Sequence, residues 1–361
     1  MRTNWIDVSK GIGILLVYYG HMLERLADLH LESSYSQWVY LYSFHMPAFF
    51  ILSGYVHTKV ISNRITFLQN KLIRIIIPIL FFNILFWVLW LIINDKNFDV
   101  VTISYYFQRL LDTLYSGNRS YSVLTGFLYC ILGVYVLHAI FGNYLRNKKL
   151  LVVAIFVFGL FGYWLTSPYV GSLDVSKVLQ LWYFDEAFVA YAFFLVGQLM
   201  SSVEKDYTKF LNKKVYFVIA LVGIAILYLT VPLNDGPFRW SKQAVIMAVR
   251  SHGDLIFYIS AIAGSVAFIY LVRLLNTNFI LERIGRNSIP YLALNSAFHA
   301  WINMLIVKEV YTYVGFPQNH VSTFLIVGLI TIGSIAVMAP IVELFSRYIP
   351  KLTGAYASKK I

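Results

Sequence analysis

The stretch "RIIIPILFFNILFWVLWLIIN", residues 74–94, contains a single charged side chain, that of Arg74. A helix needs about 20 mostly apolar residues to cross about 30 Å of hydrocarbon, so this stretch is long enough to span a bilayer. Over all 361 residues, 59% are hydrophobic and 13% are charged. Soluble domains have about 45–50% apolar and about 25% charged residues. The composition therefore predicts an integral membrane protein.

Apolar segments of this kind recur along the whole chain. We predict about ten transmembrane helices, near residues 9–25, 38–57, 74–94, 121–143, 149–166, 184–203, 214–233, 255–275, 288–308 and 323–346. Little chain is left over for a soluble domain, so we predict one all-α membrane domain, residues 1–350, followed by a short basic cytoplasmic tail, residues 351–361. No small-residue cleavage site follows the first segment, which we expect to be retained.

The basic residues predict the orientation of these helices. If both termini are cytoplasmic, 20 of the 29 Lys and Arg residues fall on the cytoplasmic side, as the positive-inside rule requires. The net charge of +12 is then explained by topology and by attraction to anionic lipid, so no nucleic-acid partner is predicted. The longer outer loops, near 95–120, 167–183 and 234–254, carry aromatic residues that either cover a pocket or lie at the membrane interface.

The first predicted span, "SKGIGILLVYYGHM" at residues 9–22, has an ionisable side chain near each end. Lys10 and His21 are eleven residues apart, which places them about 20° apart around a helix and about 16 Å apart along it. Asp7 and Tyr18 lie on the same face. Ionisable groups within spans usually face a cavity or a partner. The simpler alternatives are a snorkelling role for Lys10 and a neighbouring helix as the partner of His21.

The second predicted span contains "SFHMPAFFILSGY", residues 43–55. Pro47 follows His45 and is predicted to kink the helix, which frees backbone carbonyl groups that need a polar surrounding. His45 and His21 can reach a similar depth and face one cavity, where one of them serves as a general base near neutral pH. Two histidines with no nearby carboxylate or thiol at ligand spacing are a weak metal signal, so no metal site is predicted.

Three further positions carry polar groups at or within predicted spans. In "KLIRIIIP", Lys71 and Arg74 share a helical face, and the pair suits either phosphate binding or positive-inside topology. The stretch "IGRNSIPYLALNSAFHAW", residues 284–301, places Asn295 within the ninth span, where it either serves a site or bonds a neighbouring helix. Glu343 in the tenth span is a candidate partner for a basic residue.

Taken together, these four motifs resemble the membrane acyltransferase 3 family, whose O-acyltransferases acetylate bacterial surface polysaccharides. The form "FHMPAFFILSGY" is most similar to its fucose 4-O-acetylase-related subgroup. The resemblance implies that Lys10 and His21 are the basic residue and the histidine implicated in acyl transfer, and that Lys71 and Arg74 belong to the acyl-CoA site. Lys replaces the more usual Arg at positions 10 and 71. Asn295 stands where the family often has histidine, so a role of that histidine is not carried over.

The function that this resemblance implies is O-acetyl transfer in the cytoplasmic (inner) membrane. Acetyl-CoA is the expected donor substrate, with no permanently bound cofactor. The expected acceptor is a hydroxyl of a surface polysaccharide or of a free or lipid-linked sugar. His21 acts as general base or as a transient acyl carrier, and His45 assists it. The sequence indicates no oligomeric state.

Two other classes of function are compatible with the same residues. A proton-coupled transporter would use His21, His45 and Glu343 as a relay within the membrane. Paired broken helices in two related halves are typical of many transporters, and the Pro47 kink has no evident counterpart in the second half. The other alternative is a structural subunit of a polysaccharide assembly complex. Transfer or hydrolysis of the acetyl group of acetyl-CoA would discriminate against both.

Overall fold

The computed structural model describes residues 4–28, 32–94, 100–117, 124–166, 180–233, 255–275, 278–297, 309 and 319–355. These residues form helices and their connections, with no β-strand among them. The helices are α1 (Asn4–Asp28), α2 (Glu32–Tyr42), α3 (His45–Val56), α4 (Arg64–Asn94), α5 (Val100–Ser116), α6 (Leu124–Phe141), α7 (Lys148–Leu165), α8 (Phe184–Asp206), α9 (Lys213–Thr230), α10 (Leu255–Leu274), α11 (Phe279–Arg286), α12 (Ser288–Ala297), α13 (His320–Tyr348) and α14 (Pro350–Thr353). Short 3-10 turns precede α8 and follow α9.

Within the described ranges, seven helical segments are long and apolar enough to cross a membrane. They are α2 with α3, α4, α7, α8 with its preceding turn, α9 with its following turn, α10 and α13. The chain is therefore an all-helical, multi-pass membrane protein. The other predicted spans correspond to α1, to the shorter apolar helix α6, and to α12 at the start of the ninth span. The count of ten and the cytoplasmic termini stay predictions.

Several helices begin where an asparagine side chain caps the first turn. The Asn212 side-chain oxygen accepts hydrogen bonds from the backbone N–H groups of Lys214 and Val215, at 3.0 and 3.1 Å. Equivalent caps begin α7, α11 and α13 at Asn147, Asn278 and Asn319. A cap of this kind satisfies backbone donors that have no partner within the helix.

The core of the bundle is built around α8. Its residues from Ala187 to Leu195 are almost all inaccessible to solvent, and the helix packs against α3, α6 and α7. Gly54 allows α3 to approach closely, because a Cβ atom there would overlap the carbonyl group of Phe194. By contrast, α13 exposes large apolar side chains such as Val321 and Leu329. An apolar surface of this kind is the one that lipid covers.

The second predicted span is broken, and the break lies earlier than the kink expected at Pro47. Helix α2 ends at Tyr42 and α3 begins at His45, so Pro47 occupies the first turn of α3, where no intrahelical hydrogen bond is lost. A proline ring clashes with the carbonyl group four residues before it, which here belongs to Ser43. The Phe44 carbonyl group, which accepts a backbone hydrogen bond of 2.9 Å from Ala48 at the start of α3, also accepts one of 3.0 Å from the Ser265 hydroxyl.

Several predicted segments lie partly or wholly outside the described residues. These are residues 121–123 of the fourth span, 298–308 of the ninth span, 95–99 and 118–120 of the first long outer loop, 167–179 of the second, 234–254 of the third, and 356–361 of the tail. The first loop includes helix α5. The start of the predicted tail forms α14, which packs against α4 with Thr353 buried.

Candidate active site

Helices α1 and α3 lie side by side and run in opposite directions. At one end Lys10 lies within electrostatic range of His57, and at the other His21 lies within electrostatic range of His45. The helical rise makes the two ends about 16 Å apart along α1 and about 18 Å apart along α3. We call them the basic end and the histidine end. The structure therefore brings His21 and His45 together, at a distance from Lys10.

At the histidine end, His21 is held by a carboxylate from the next turn of its own helix. The His21 Nδ1 atom lies 3.1 Å from Glu24 Oε2, which also accepts a 3.1 Å hydrogen bond from the Tyr42 hydroxyl. The Glu24 side chain is buried. Because an ionised carboxylate only accepts hydrogen bonds, the His21 proton is placed on Nδ1 and the lone pair on Nε2.

His45 reaches the same place because of the break between α2 and α3. Its Nδ1 atom donates a 2.9 Å hydrogen bond to the Leu41 carbonyl group, which also accepts a 3.2 Å backbone hydrogen bond from Phe44 at the break. Its ring packs edge-on against Tyr42, with 4.7 Å between the ring centroids. Tyr42 thus contacts His45 through its ring and Glu24 through its hydroxyl, and it ties the two histidines into one cluster.

At the basic end, Lys71 is bound by a histidine that follows α3. The Lys71 ammonium lies 2.6 Å from His57 Nε2, and His57 Nδ1 donates a 2.7 Å hydrogen bond to the Ser53 carbonyl group. The ammonium also lies 4.1 Å from the centroid of the Tyr135 ring, a cation–π contact. Both nitrogens of His57 are therefore engaged, and Lys71 is half-buried in a fixed position.

The predicted basic residues form one cluster around Lys71. Arg74 and Lys10 both interact electrostatically with the Lys71 ammonium, and Arg74 is exposed at the surface. Like charges this close repel one another, and an anion placed among them relieves the repulsion. An arginine fork and two ammonium groups suit phosphate in particular.

Residues that the sequence reasoning missed support the basic end. Gln198 donates its side-chain amide to the His57 carbonyl group, and the Ser53 and Tyr135 hydroxyls are 3.0 Å apart. His57 stands two residues after the "SGY" that ends the second motif, which was the only sequence signal for it. Glu24 was also missed, although it lies three residues after His21 on an adjacent helical position.

Asp7 and Tyr18 hold α1 against α11 and α12. The Asp7 carboxylate accepts a 3.2 Å hydrogen bond from Arg286 Nε. The Tyr18 hydroxyl donates a 2.7 Å hydrogen bond to the Tyr291 carbonyl group. Both side chains are buried. Gly285 allows this contact, since a Cβ atom there would overlap the Asp7 carbonyl group. These two residues therefore fix the position of α1.

Glu343 lies far from the histidine end. It forms an ion pair with Arg283. The ring of Phe324 on the same helix packs on Tyr19, two residues before His21. Glu343 follows Phe324 by 19 residues, or about 28 Å of helix. The three residues of the transporter alternative therefore do not form one relay of adjacent groups. Asn295 lies on α12, which packs against α1, and its side chain is buried.

The spanning helices and the two clusters define the class of protein as a helical multi-pass membrane protein. The family model described as an acyltransferase domain, acyltransferase 3, matches residues 3–343. The chain therefore belongs to the acyltransferase 3 family. It is also similar to nodulation protein NolL of Mesorhizobium japonicum, with 36% identity over 95 residues, which cover 24% of this chain and 25% of NolL. The match thus spans about a quarter of that relative's length. No solved structure matches the chain.

Proposed function

We propose that this protein is an O-acetyltransferase of the cytoplasmic membrane, which moves an acetyl group from acetyl-CoA to a sugar hydroxyl. The observation that carries the proposal is the pairing of the two ends of α1 and α3. A cluster of three cations, which suits the phosphates of the donor, lies about 16 Å from a carboxylate-bound histidine. Membership of the acyltransferase 3 family supports acyl transfer as the reaction.

The donor binds at the basic end, which faces the cytoplasm. Arg74 is exposed and meets the phosphates first, while Lys10 and Lys71 provide charge deeper in the site. The extended arm of the donor then follows the interface of α1 and α3 toward His21. The ring of Phe49 packs on Gly13 along this interface, so the incoming arm displaces the Phe49 side chain.

The acetyl group is transferred at the histidine end. His21 Nε2 takes the proton of the acceptor hydroxyl while the hydroxyl oxygen forms a bond to the thioester carbonyl carbon. The C–S bond then breaks, and the departing thiolate takes the proton back from His21, giving an acetyl ester and CoA. Glu24 stabilises the transient imidazolium through its hydrogen bond to Nδ1. His45 lies beside the pair and assists in orienting the reacting groups.

The acceptor is a hydroxyl of a surface polysaccharide or of a lipid-linked sugar. A direct test compares the mass of surface glycans from cells with the intact gene, without it, and with His21→Ala. We expect one acetyl group per repeat, about 42 mass units, only with the intact gene. Membranes containing the full chain should also release CoA thiol from acetyl-CoA. Equal glycan masses together with no turnover of acetyl-CoA above the His21→Ala control would contradict the proposal.

A further inference from the structure

Asn295 is a buried amide with unused hydrogen-bonding capacity. It lies on α12 and is 1% exposed, and neither its side-chain nitrogen nor its side-chain oxygen has a hydrogen-bond partner. A buried polar group in this state destabilises the folded protein. The simple structural role for a polar residue in a span, a bond to a neighbouring helix, is not seen for Asn295. Each such group in a native protein calls for an explanation, and a ligand that supplies the missing partner is one.

The contacts of α12 with α1 place Asn295 toward the histidine end. Arg286, just before α12, donates a hydrogen bond to Asp7, and the Tyr291 carbonyl group accepts one from Tyr18, eleven residues further along α1. Helix α12 therefore runs in the same direction as α1. His21 follows Tyr18 by three residues and Asn295 follows Tyr291 by four, so each lies about one helical turn beyond this contact.

We propose that Asn295 is a catalytic residue whose side-chain N–H groups bind the carbonyl oxygen of the donor thioester. The inference rests on the proposed acetyl transfer. When the acceptor oxygen forms its bond to the carbonyl carbon, the π electrons of the carbonyl group move to its oxygen, which becomes an oxyanion. Asn295 Nδ2–H donates a hydrogen bond to this oxyanion. The electrons return as the C–S bond breaks, and His21 returns its proton to the leaving thiolate.

An amide suits this role for physical reasons. It donates without carrying a proton that the reaction could remove, and it is neutral, so it stays buried in the absence of the donor. In a site from which water is excluded, one donor aimed at a developing oxyanion contributes about 10²–10³-fold to the rate. In this arrangement His21 transfers the proton, Glu24 stabilises the imidazolium and Asn295 stabilises the oxyanion.

The test uses membranes that contain the full-length protein, with acetyl-CoA as the probe. Initial rates of CoA thiol release count both transfer and hydrolysis, and His21→Ala membranes provide the background. Asn295→Leu should lower kcat by about 10²–10³-fold, with KM for acetyl-CoA within a factor of about three. Its melting temperature should equal or exceed that of the wild type, because an unpaired polar group is removed. Asn295→His, which restores an N–H donor, should recover at least a tenth of the wild-type kcat.

Asn83→Leu is the matched control. Asn83 is equally buried, but its amide donates to the Ile79 carbonyl group at 2.8 Å and to the Thr125 hydroxyl at 2.9 Å. This variant should therefore lose thermal stability and keep its kcat. The inference is overturned if Asn295→Leu keeps more than a tenth of kcat, or if it loses kcat and stability together and Asn295→His does not recover. A wild-type protein that turns over no acetyl-CoA overturns the proposed function itself.

Discussion

The two ends of the α1 and α3 pair use histidine in opposite ways. His57 donates from Nδ1 to a backbone carbonyl group and accepts the Lys71 ammonium at Nε2, so its lone pair is engaged and the nearby cations oppose a positive ring. His21 donates from Nδ1 to the Glu24 carboxylate, a charged side chain, where His57 donates to a neutral backbone group. The contrast indicates which histidine suits proton transfer. A carboxylate fixes the ring orientation and tautomer of a histidine that acts as general base, as we propose for His21, whereas His57 orients the Lys71 ammonium.

The largest effect that tests this contrast is expected at His21. His21→Ala should lower kcat for acetyl transfer by about 10²–10⁴-fold, the usual contribution of a general base. Transfer of labelled acetyl from acetyl-CoA measures it, with the amount of protein in the membrane fraction as the control for insertion. Retained activity would remove His21 from the mechanism.

Glu24→Gln tests the charge that sets His21 apart from His57. Glutamine keeps the shape and an acceptor for His21 Nδ1 and for the Tyr42 hydroxyl, but not the negative charge. A hydrogen bond to a charged group is stronger than a neutral one by about 1–1.5 kcal/mol, so kcat should fall about tenfold. Tyr42→Phe, which removes one hydrogen bond and leaves the carboxylate, should have a smaller effect. An unchanged kcat in Glu24→Gln would mean that the carboxylate only holds the helix turn.

Arg74→Ala tests the basic end as a binding site. We expect KM for acetyl-CoA to rise about tenfold with kcat nearly unchanged, because one charge-assisted contact to phosphate contributes about 1.5 kcal/mol. The loss should shrink at high salt. Arg64→Ala is the control, since Arg64 lies near the start of the same helix and its guanidinium lies 5.5 Å from the Tyr144 ring centroid. A binding isotherm for acetyl-CoA that Arg74→Ala leaves unchanged would exclude Arg74 from the donor site.

The smallest effect is expected at His57. His57→Gln keeps a side-chain acceptor near Lys71, so kcat should stay within a factor of about three and stability should fall by about 1 kcal/mol, the net contribution of one hydrogen bond. Thermal melting and acetyl-transfer rates on the same preparation measure both. If kcat fell as far as in His21→Ala, the two histidines would have the opposite roles.

Much of the fold was predictable because membrane helices are encoded locally. Residues 74–94 were recognised as a span from composition, and they form most of α4. The break at Ser43–Phe44 was placed at Pro47 instead, although a proline ring clashes with the carbonyl group four residues before it, so the position of the break was within reach of the sequence. The ninth span was predicted to begin at residue 288, and α12 begins at Ser288.

The candidate site was predictable where it depends on a single helix. Lys10 and His21 share a face of α1 by periodicity, and Lys71 and Arg74 share a face of α4. Glu24 was within reach of the same argument, as a residue three positions after His21. His57 was not, because its partner Lys71 lies on another helix across a turn.

The sequence by itself determined the membrane class, the apolar helices and the spacing of the charged groups along each of them. These follow from the hydrophobic effect and from the fixed rise and rotation of the α-helix, which act between residues close in the chain. Only the tertiary structure decided that His45 faces His21, that His57 binds Lys71 and that Asn295 is buried without a partner. Tertiary contacts join residues 14 positions apart, as for His57 and Lys71, or 273 positions apart, as for Tyr18 and Tyr291. They depend on how whole helices pack, which no local pattern specifies.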